Sequence, residues 1–77
     1  MKIKVTNSHI QHGSPLLCGS CPIALALTEY GFIYVNVSKT KLIHGFPYIT
    51  VDLPLEAIEF IKSFDSGQVV KPFEFKI

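Results

Sequence analysis

The stretch 48–67, YITVDLPLEAIEFIKSFDSG, contains the two patterns that decide the fold. In its first six residues every second side chain is apolar, which is typical of a strand with one solvent-facing side. From Pro54 onward the apolar side chains recur at spacings of three and four, which predicts an amphipathic helix that ends at Gly67. A strand followed directly by such a helix favours an α+β domain over an all-helical or all-β one.

The rest of the chain adds further elements around this unit. Residues 2–6 and 32–38 alternate like strands, and Phe73, Phe75 and Ile77 alternate with charged residues at the C-terminal end. Residues 7–12 predict a short helix, and Pro22 opens an apolar helix over residues 23–30. The order β-α-α-β-β-α-β predicts one domain over residues 1–77.

We expect a single small mixed or antiparallel sheet of about four strands, with the helices packed on one face. The strands at 32–38 and 48–53 would pair as a hairpin through the connection 39–47. Helix residues Leu25, Leu27, Ile58, Ile61 and Phe64 would contact the inner face. The inner face is predicted to carry the apolar strand residues Ile3, Val5, Ile33, Val35, Val37, Ile49, Val51, Phe73 and Phe75.

The other face of the predicted sheet is rich in aromatic residues. It would carry Phe32, Tyr34 and Tyr48 among polar residues, and Phe46 lies in the neighbouring connection. Exposed aromatic rings on a sheet are typical of a surface that binds another protein. The alternative is that the connection 39–47 folds over these rings.

Composition limits the classes of function. The chain has 77 residues, of which 48% are hydrophobic, and its formal net charge is +1. This charge gives no basic patch for a nucleic acid, and the apolar runs are too short to cross a membrane. The start MKIKV lacks the layout of a secretory signal, so we expect a cytoplasmic protein. A small domain this apolar is expected to leave a surface that binds a partner, which predicts a homodimeric, non-enzymatic interaction module with a protein partner.

The only compact chemical motif is Cys18-Gly-Ser-Cys21, followed by Pro22 and a helix. A thiolate at a helix N-terminus is stabilised by free N–H groups, which suits thiol-disulfide exchange with Cys18 as nucleophile and Cys21 as resolving thiol. The motif and the flanking strands resemble the thioredoxin-like superfamily, glutaredoxins in particular. The chain departs from that pattern, because Pro22 directly follows the second cysteine and no Thr-Val-Pro segment precedes the later strands.

Two alternatives for the cysteines stay open. His9 and His12 share one helical face and precede the CxxC, so His9, His12, Cys18 and Cys21 are a candidate structural zinc site, although the spacing differs from that of common zinc fingers. The simpler interpretation is that both thiols pack at the start of the helix and remain reduced. No Ser-His-carboxylate arrangement and no phosphate-binding loop is evident from the spacing.

Three segments carry a further resemblance: CGSCPIALAL at 18–27, FIKSFD at 60–65 and PFEF at 72–75. Together they resemble a set of small proteins from bacteriophages and bacteria. The resemblance implies a phage-type accessory protein that acts on host machinery or assembles into oligomers. It implies no catalytic residue.

Overall fold

The computed structural model describes residues 1–15 and 19–77. The described elements, in chain order, are β1 (Lys2–Val5), α1 (Asn7–His12), α2 (Pro22–Glu29), β2 (Asn36–Val37), β3 (Lys41–His44), β4 (Ile49–Asp52), α3 (Leu55–Asp65) and β5 (Phe73–Lys76). The α+β class is confirmed. So are the three predicted helices and the strands at both ends of the chain.

The strands form two small antiparallel sheets, so the prediction of a single sheet is wrong. The terminal strands β1 and β5 pair with each other, with Ile3 opposite Phe75. A separate sheet has the order β2-β3-β4. Its middle strand, β3, lies in the segment 39–47 that the sequence pattern presents as a connection. Because β3 pairs with both neighbours, β2 and β4 do not form the hairpin that was predicted between them.

The predicted strand 32–38 is reduced to Asn36–Val37. The backbone of Phe32 still belongs to the end of α2, because its N–H donates to the Leu27 carbonyl at 3.1 Å. Tyr34 then adopts a left-handed conformation with φ of 52°, which breaks the alternation of the strand. As a result Ile33, expected in the core, is 58% exposed.

Helix α1 is capped by side chains at its N-terminus and packs closely against the start of α2. In α1 the N–H of His9 donates to the Thr6 hydroxyl and the N–H of Thr6 donates back to His9 Nδ1, which satisfies two backbone donors at once. Gly13 ends α1 against the ring of Pro22, the first residue of α2. A β-carbon built on Gly13 would lie 2.6 Å from Pro22 Cδ, so this position has room only for hydrogen.

The core lies where the helices cover both sheets. Ile3 and Phe75 from the terminal sheet, Leu42 from β3 and Leu27 from α2 are almost completely buried. The rings of Phe60 and Phe73 stack with centroids 4.6 Å apart and join α3 to β5. Burial of each large apolar side chain contributes about 2 kcal/mol. No described helix is long and apolar enough to span a lipid bilayer.

Most of the predicted inner-face residues are buried or partly buried, and two are not. Val35, Val51 and Phe73 pack partly buried against the core. Ile33 and Ile49 are exposed, and Ile49 retains 54% of its accessible surface. Ile49 is the first residue of β4, beside the turn from β3.

Candidate functional site

The three-stranded sheet has one covered and one open face. Val37, Leu42 and Val51 lie opposite one another in the register, and each is buried or partly buried. The neighbouring row, formed by Asn36, Ile43 and Thr50, therefore points to the other side. This open face is the one on which the sequence pattern places the exposed aromatic residues.

Three aromatic rings stand exposed on or beside the open face. Tyr34 is 67% exposed, Tyr48 is 71% exposed, and Phe46, in the turn between β3 and β4, is 83% exposed. We call Tyr34, Phe46 and Tyr48 the aromatic surface. Tyr34 and Tyr48 line a common groove of about 410 Å³ with Ile43 at its side. The exposure of Tyr34 and Tyr48 excludes, for these two rings, the alternative in which the connection 39–47 folds over them, whereas Phe32 is contacted by His44 of that segment.

Phe32 does not belong to the aromatic surface, so the prediction that it shares the open face is wrong. Its ring is half-buried and packs against the core. It also contacts the His44 ring edge-on, with ring centroids 4.8 Å apart and planes at 71°. Since His44 and Leu42 are alternate residues of β3, this contact lies on the covered face. The left-handed backbone of Tyr34 interrupts the strand, so Phe32 and Tyr34 lie on different faces of the three-stranded sheet.

Strand β4 is an edge strand, and its hydrogen-bonding pattern can be assigned residue by residue. The N–H of Leu53 donates to the Thr40 carbonyl at 3.0 Å, so Leu53 points toward β3. In an antiparallel ladder this orientation alternates, which directs Val51 and Ile49 toward β3 as well. The N–H and C=O groups of Thr50 and Asp52 then point away from the sheet. Among the described strands, none pairs with this side of β4.

The charge on this edge is low. The Asp52 carboxylate is paired with the Lys41 ammonium of the neighbouring strand. Strand edges are commonly protected by lysine, by proline or by a bulge. The segment 49–52, ITVD, contains neither lysine nor proline. Its backbone therefore presents an unprotected template for another strand.

A second arrangement of polar groups joins α1 to α2. His9 is buried, and its Nδ1 accepts a hydrogen bond from the Thr6 N–H at 2.9 Å. The neutral ring therefore carries its proton on Nε2, which donates to Glu29 Oε2 at 3.0 Å. The spacing of His9 within its helix gave no signal for this contact, because Glu29 comes from a different helix.

Cys21 occupies the N-cap position of α2, directly before Pro22. Its Sγ accepts from the Ala24 N–H at 3.4 Å, and the residue is only 6% exposed. Cys18 lies outside the described residues. Thiol-disulfide exchange between the two cysteines stays a prediction.

The zinc site predicted from His9, His12, Cys18 and Cys21 includes a residue outside the described part of the chain. Within residues 1–15 and 19–77, no group of three or more His, Cys, Asp or Glu side chains is arranged to hold a metal ion. Both nitrogens of His9 are engaged by protein groups. His12 is exposed, and its Nδ1 lies 2.8 Å from the Ser8 carbonyl. Zinc binding by His9 would therefore have to displace one of two existing hydrogen bonds.

Comparison with known proteins gives no relative from which a role could be transferred. No protein-family model, no curated protein and no solved structure matches the chain.

Proposed function

We propose that this protein is a small non-enzymatic interaction module of the phage-type accessory class, which works in the cytoplasm, self-associates into a homodimer and engages a protein partner through its aromatic surface. The observation that carries the proposal is the exposure of Tyr34 and Tyr48 around one groove, with Phe46 exposed in the turn before β4, in a domain of 77 residues. Transfer of such rings from water to a protein contact is strongly favourable, and aromatic residues are enriched where proteins associate.

The surroundings of the rings support binding to protein. The open face carries the neutral polar residues Asn36 and Thr50 beside Ile43, and the Lys41–Asp52 ion pair lies two positions further along the same face, at its rim. Interfaces between proteins have this composition, with charged residues depleted at the centre. The groove between Tyr34 and Tyr48 is open to solvent and can receive a side chain from a partner.

Sedimentation velocity over a micromolar to submillimolar concentration series tests the proposal. We expect the wild-type protein to shift from 8.6 kDa toward twice that mass as concentration rises. Phe46→Glu and Tyr48→Glu place a charge on the aromatic surface and should weaken the dimer at least about tenfold, since desolvation of an unpaired charge is costly. Both side chains are exposed, so the melting temperature should stay within a few degrees of the wild-type value.

Tyr30→Glu is the matched control. Tyr30 is also an exposed aromatic residue, but it lies at the C-terminal end of α2, outside the aromatic surface. The same change of charge there should leave self-association unaltered. Equal sedimentation of the Phe46, Tyr48 and Tyr30 variants, or a wild-type monomer throughout the series, would contradict the proposal.

A further inference from the structure

We infer that two copies of this chain join by antiparallel pairing of β4 with β4 of the second copy, with Thr50 at the two-fold axis. The inference rests on the proposed self-association and specifies how it occurs. It starts from the outward N–H and C=O groups of Thr50 and Asp52, which no described strand of the same chain satisfies. Addition of a strand to such an edge provides main-chain hydrogen bonds without distorting the existing sheet.

The alternation of hydrogen bonds limits the register of the pairing. Within β4 only Thr50 and Asp52 have an N–H and a C=O that both point outward, so the symmetric choices inside the strand pair Thr50 with Thr50, Thr50 with Asp52, or Asp52 with Asp52 across the axis. The last choice places two carboxylates directly opposite each other, which is unfavourable. The second leaves the two Asp52 carboxylates only two residues apart along the strands, roughly 7 Å at about 3.3 Å per residue.

The register centred on Thr50 separates these carboxylates further. The two Asp52 carboxylates are then four residues apart along the strands, which is roughly 13 Å at about 3.3 Å per residue. That separation exceeds the Debye length of about 8 Å at physiological ionic strength. Ile49 lies opposite Val51 of the partner subunit, which pairs two β-branched apolar side chains on one face.

The same register covers apolar residues that the monomer leaves exposed. Tyr48 lies beside Asp52 of the partner subunit, and Ile49, 54% exposed in the single chain, is covered. The turn that carries Phe46 lies beside the start of α3 in the second copy, where Leu55 is 67% exposed. The dimer would contain one continuous six-stranded sheet from two three-stranded ones. Tyr34 lies near β2, away from the seam, and remains available to a further protein.

Amide hydrogen exchange at Thr50 is the direct test. In the paired edge the Thr50 N–H donates across the axis, so its exchange should slow at least about tenfold when the concentration is raised from below to above the dimer range. The Val51 N–H, which already points toward β3, should change little. If Thr50 exchanges at the same rate at both concentrations while the dimer forms, the edge pairing is wrong.

Two variants provide an independent test by sedimentation. Thr50→Pro removes the central donor from each chain without touching the bonds to β3, and edge strands tolerate proline at such positions. Thr50→Lys brings two like charges together at the axis. Each should raise the dissociation constant at least about tenfold. Thr40→Lys, the same change at an exposed turn residue away from the edge, should have no effect.

The outcomes separate the edge pairing from the proposed function. Loss of the dimer in both Thr50 variants, with Tyr30→Glu and Thr40→Lys unchanged, supports the edge. A dimer that survives Thr50→Pro and Thr50→Lys but is weakened by Tyr48→Glu overturns the edge pairing and leaves the aromatic surface as the interface. A wild-type monomer at every concentration overturns the proposed function together with the edge.

Discussion

Substitution of Gly13 by alanine tests the close approach between α1 and α2. Gly13 has φ of −74° and ψ of 153°, values that any residue adopts, so its role is to leave space. An added β-carbon would lie 2.6 Å from Pro22 Cδ, 2.7 Å from Pro22 Cγ and 2.8 Å from Pro22 N. Pro22 is fully buried, and one of the three contacts is to backbone, so relief requires a shift of one helix against the other.

Forcing extra atoms into a packed site costs about 1 to 3 kcal/mol. Because the backbone is involved, we expect Gly13→Ala to lower the free energy of unfolding by about 3 kcal/mol. For a domain of this size the melting temperature should fall by roughly 15 °C. Urea denaturation followed by circular dichroism measures the first quantity, and a thermal scan measures the second.

Gly19→Ala is the matched control, because among residues 1–15 and 19–77 the atom found near its added β-carbon is the Val35 carbonyl oxygen, at 3.7 Å. That change should be neutral or stabilise the protein by up to about 1 kcal/mol. Adding Pro22→Ala to Gly13→Ala removes the ring carbons and should restore part of the loss, which a double-mutant cycle detects. A Gly13→Ala protein within about 0.5 kcal/mol of wild type would refute the close approach, given that ordinary surface changes fall in that range.

The polar groups at the two helix starts give the remaining predictions. Thr6→Ala should cost about 1 kcal/mol through the lost cap, and His9→Ala about 3 kcal/mol because the buried ring also leaves. Glu29→Gln keeps an acceptor for His9 Nε2–H and should cost less than about 1 kcal/mol. Urea titrations of the Thr6, His9 and Glu29 variants measure these costs, and a different ranking would contradict the assigned hydrogen bonds. Cys21→Ser retains the cap and should stay within about 0.5 kcal/mol of wild type, whereas Cys21→Ala should lose about 1 kcal/mol. In a Cys18→Ser background, alkylation of Cys21 should be at least about tenfold slower in the folded protein than in denaturant, and equal rates would show that its burial is not maintained.

The elements with strong local signals could be predicted from the sequence. The start of α2 at Pro22, the length of α3 and the pairing-competent alternation of β5 depend on residues within each segment. The exposed position of Tyr48 was also predictable, because the alternation around it assigns it to the polar face. Its role in binding stays a prediction.

The division into two sheets could not be predicted in this way. Strand β3 has only four residues, and its alternation is weak because Ile43 and His44 are both partly buried. The left-handed backbone at Tyr34 excludes residues 32–35 from the strand that the sequence predicts over 32–38. Position 34 is not a glycine, so the sequence does not indicate this conformation. Because the sequence does not predict β3, it also does not indicate that β4 is an edge strand. The His9 to Glu29 contact is missed for a similar reason, since it depends on how two helices pack.

Native mass spectrometry of the freshly purified protein, without added reductant, tests the central claim most directly, because one spectrum reports the oligomer, any bound metal and any disulfide. The account predicts a dimer of two metal-free chains of 8.6 kDa each, whose fraction rises with concentration. A monomer at every concentration would contradict it. A monomer that carries zinc would favour the His9, His12, Cys18 and Cys21 site, and one lighter by the mass of two hydrogens would favour thiol-disulfide chemistry.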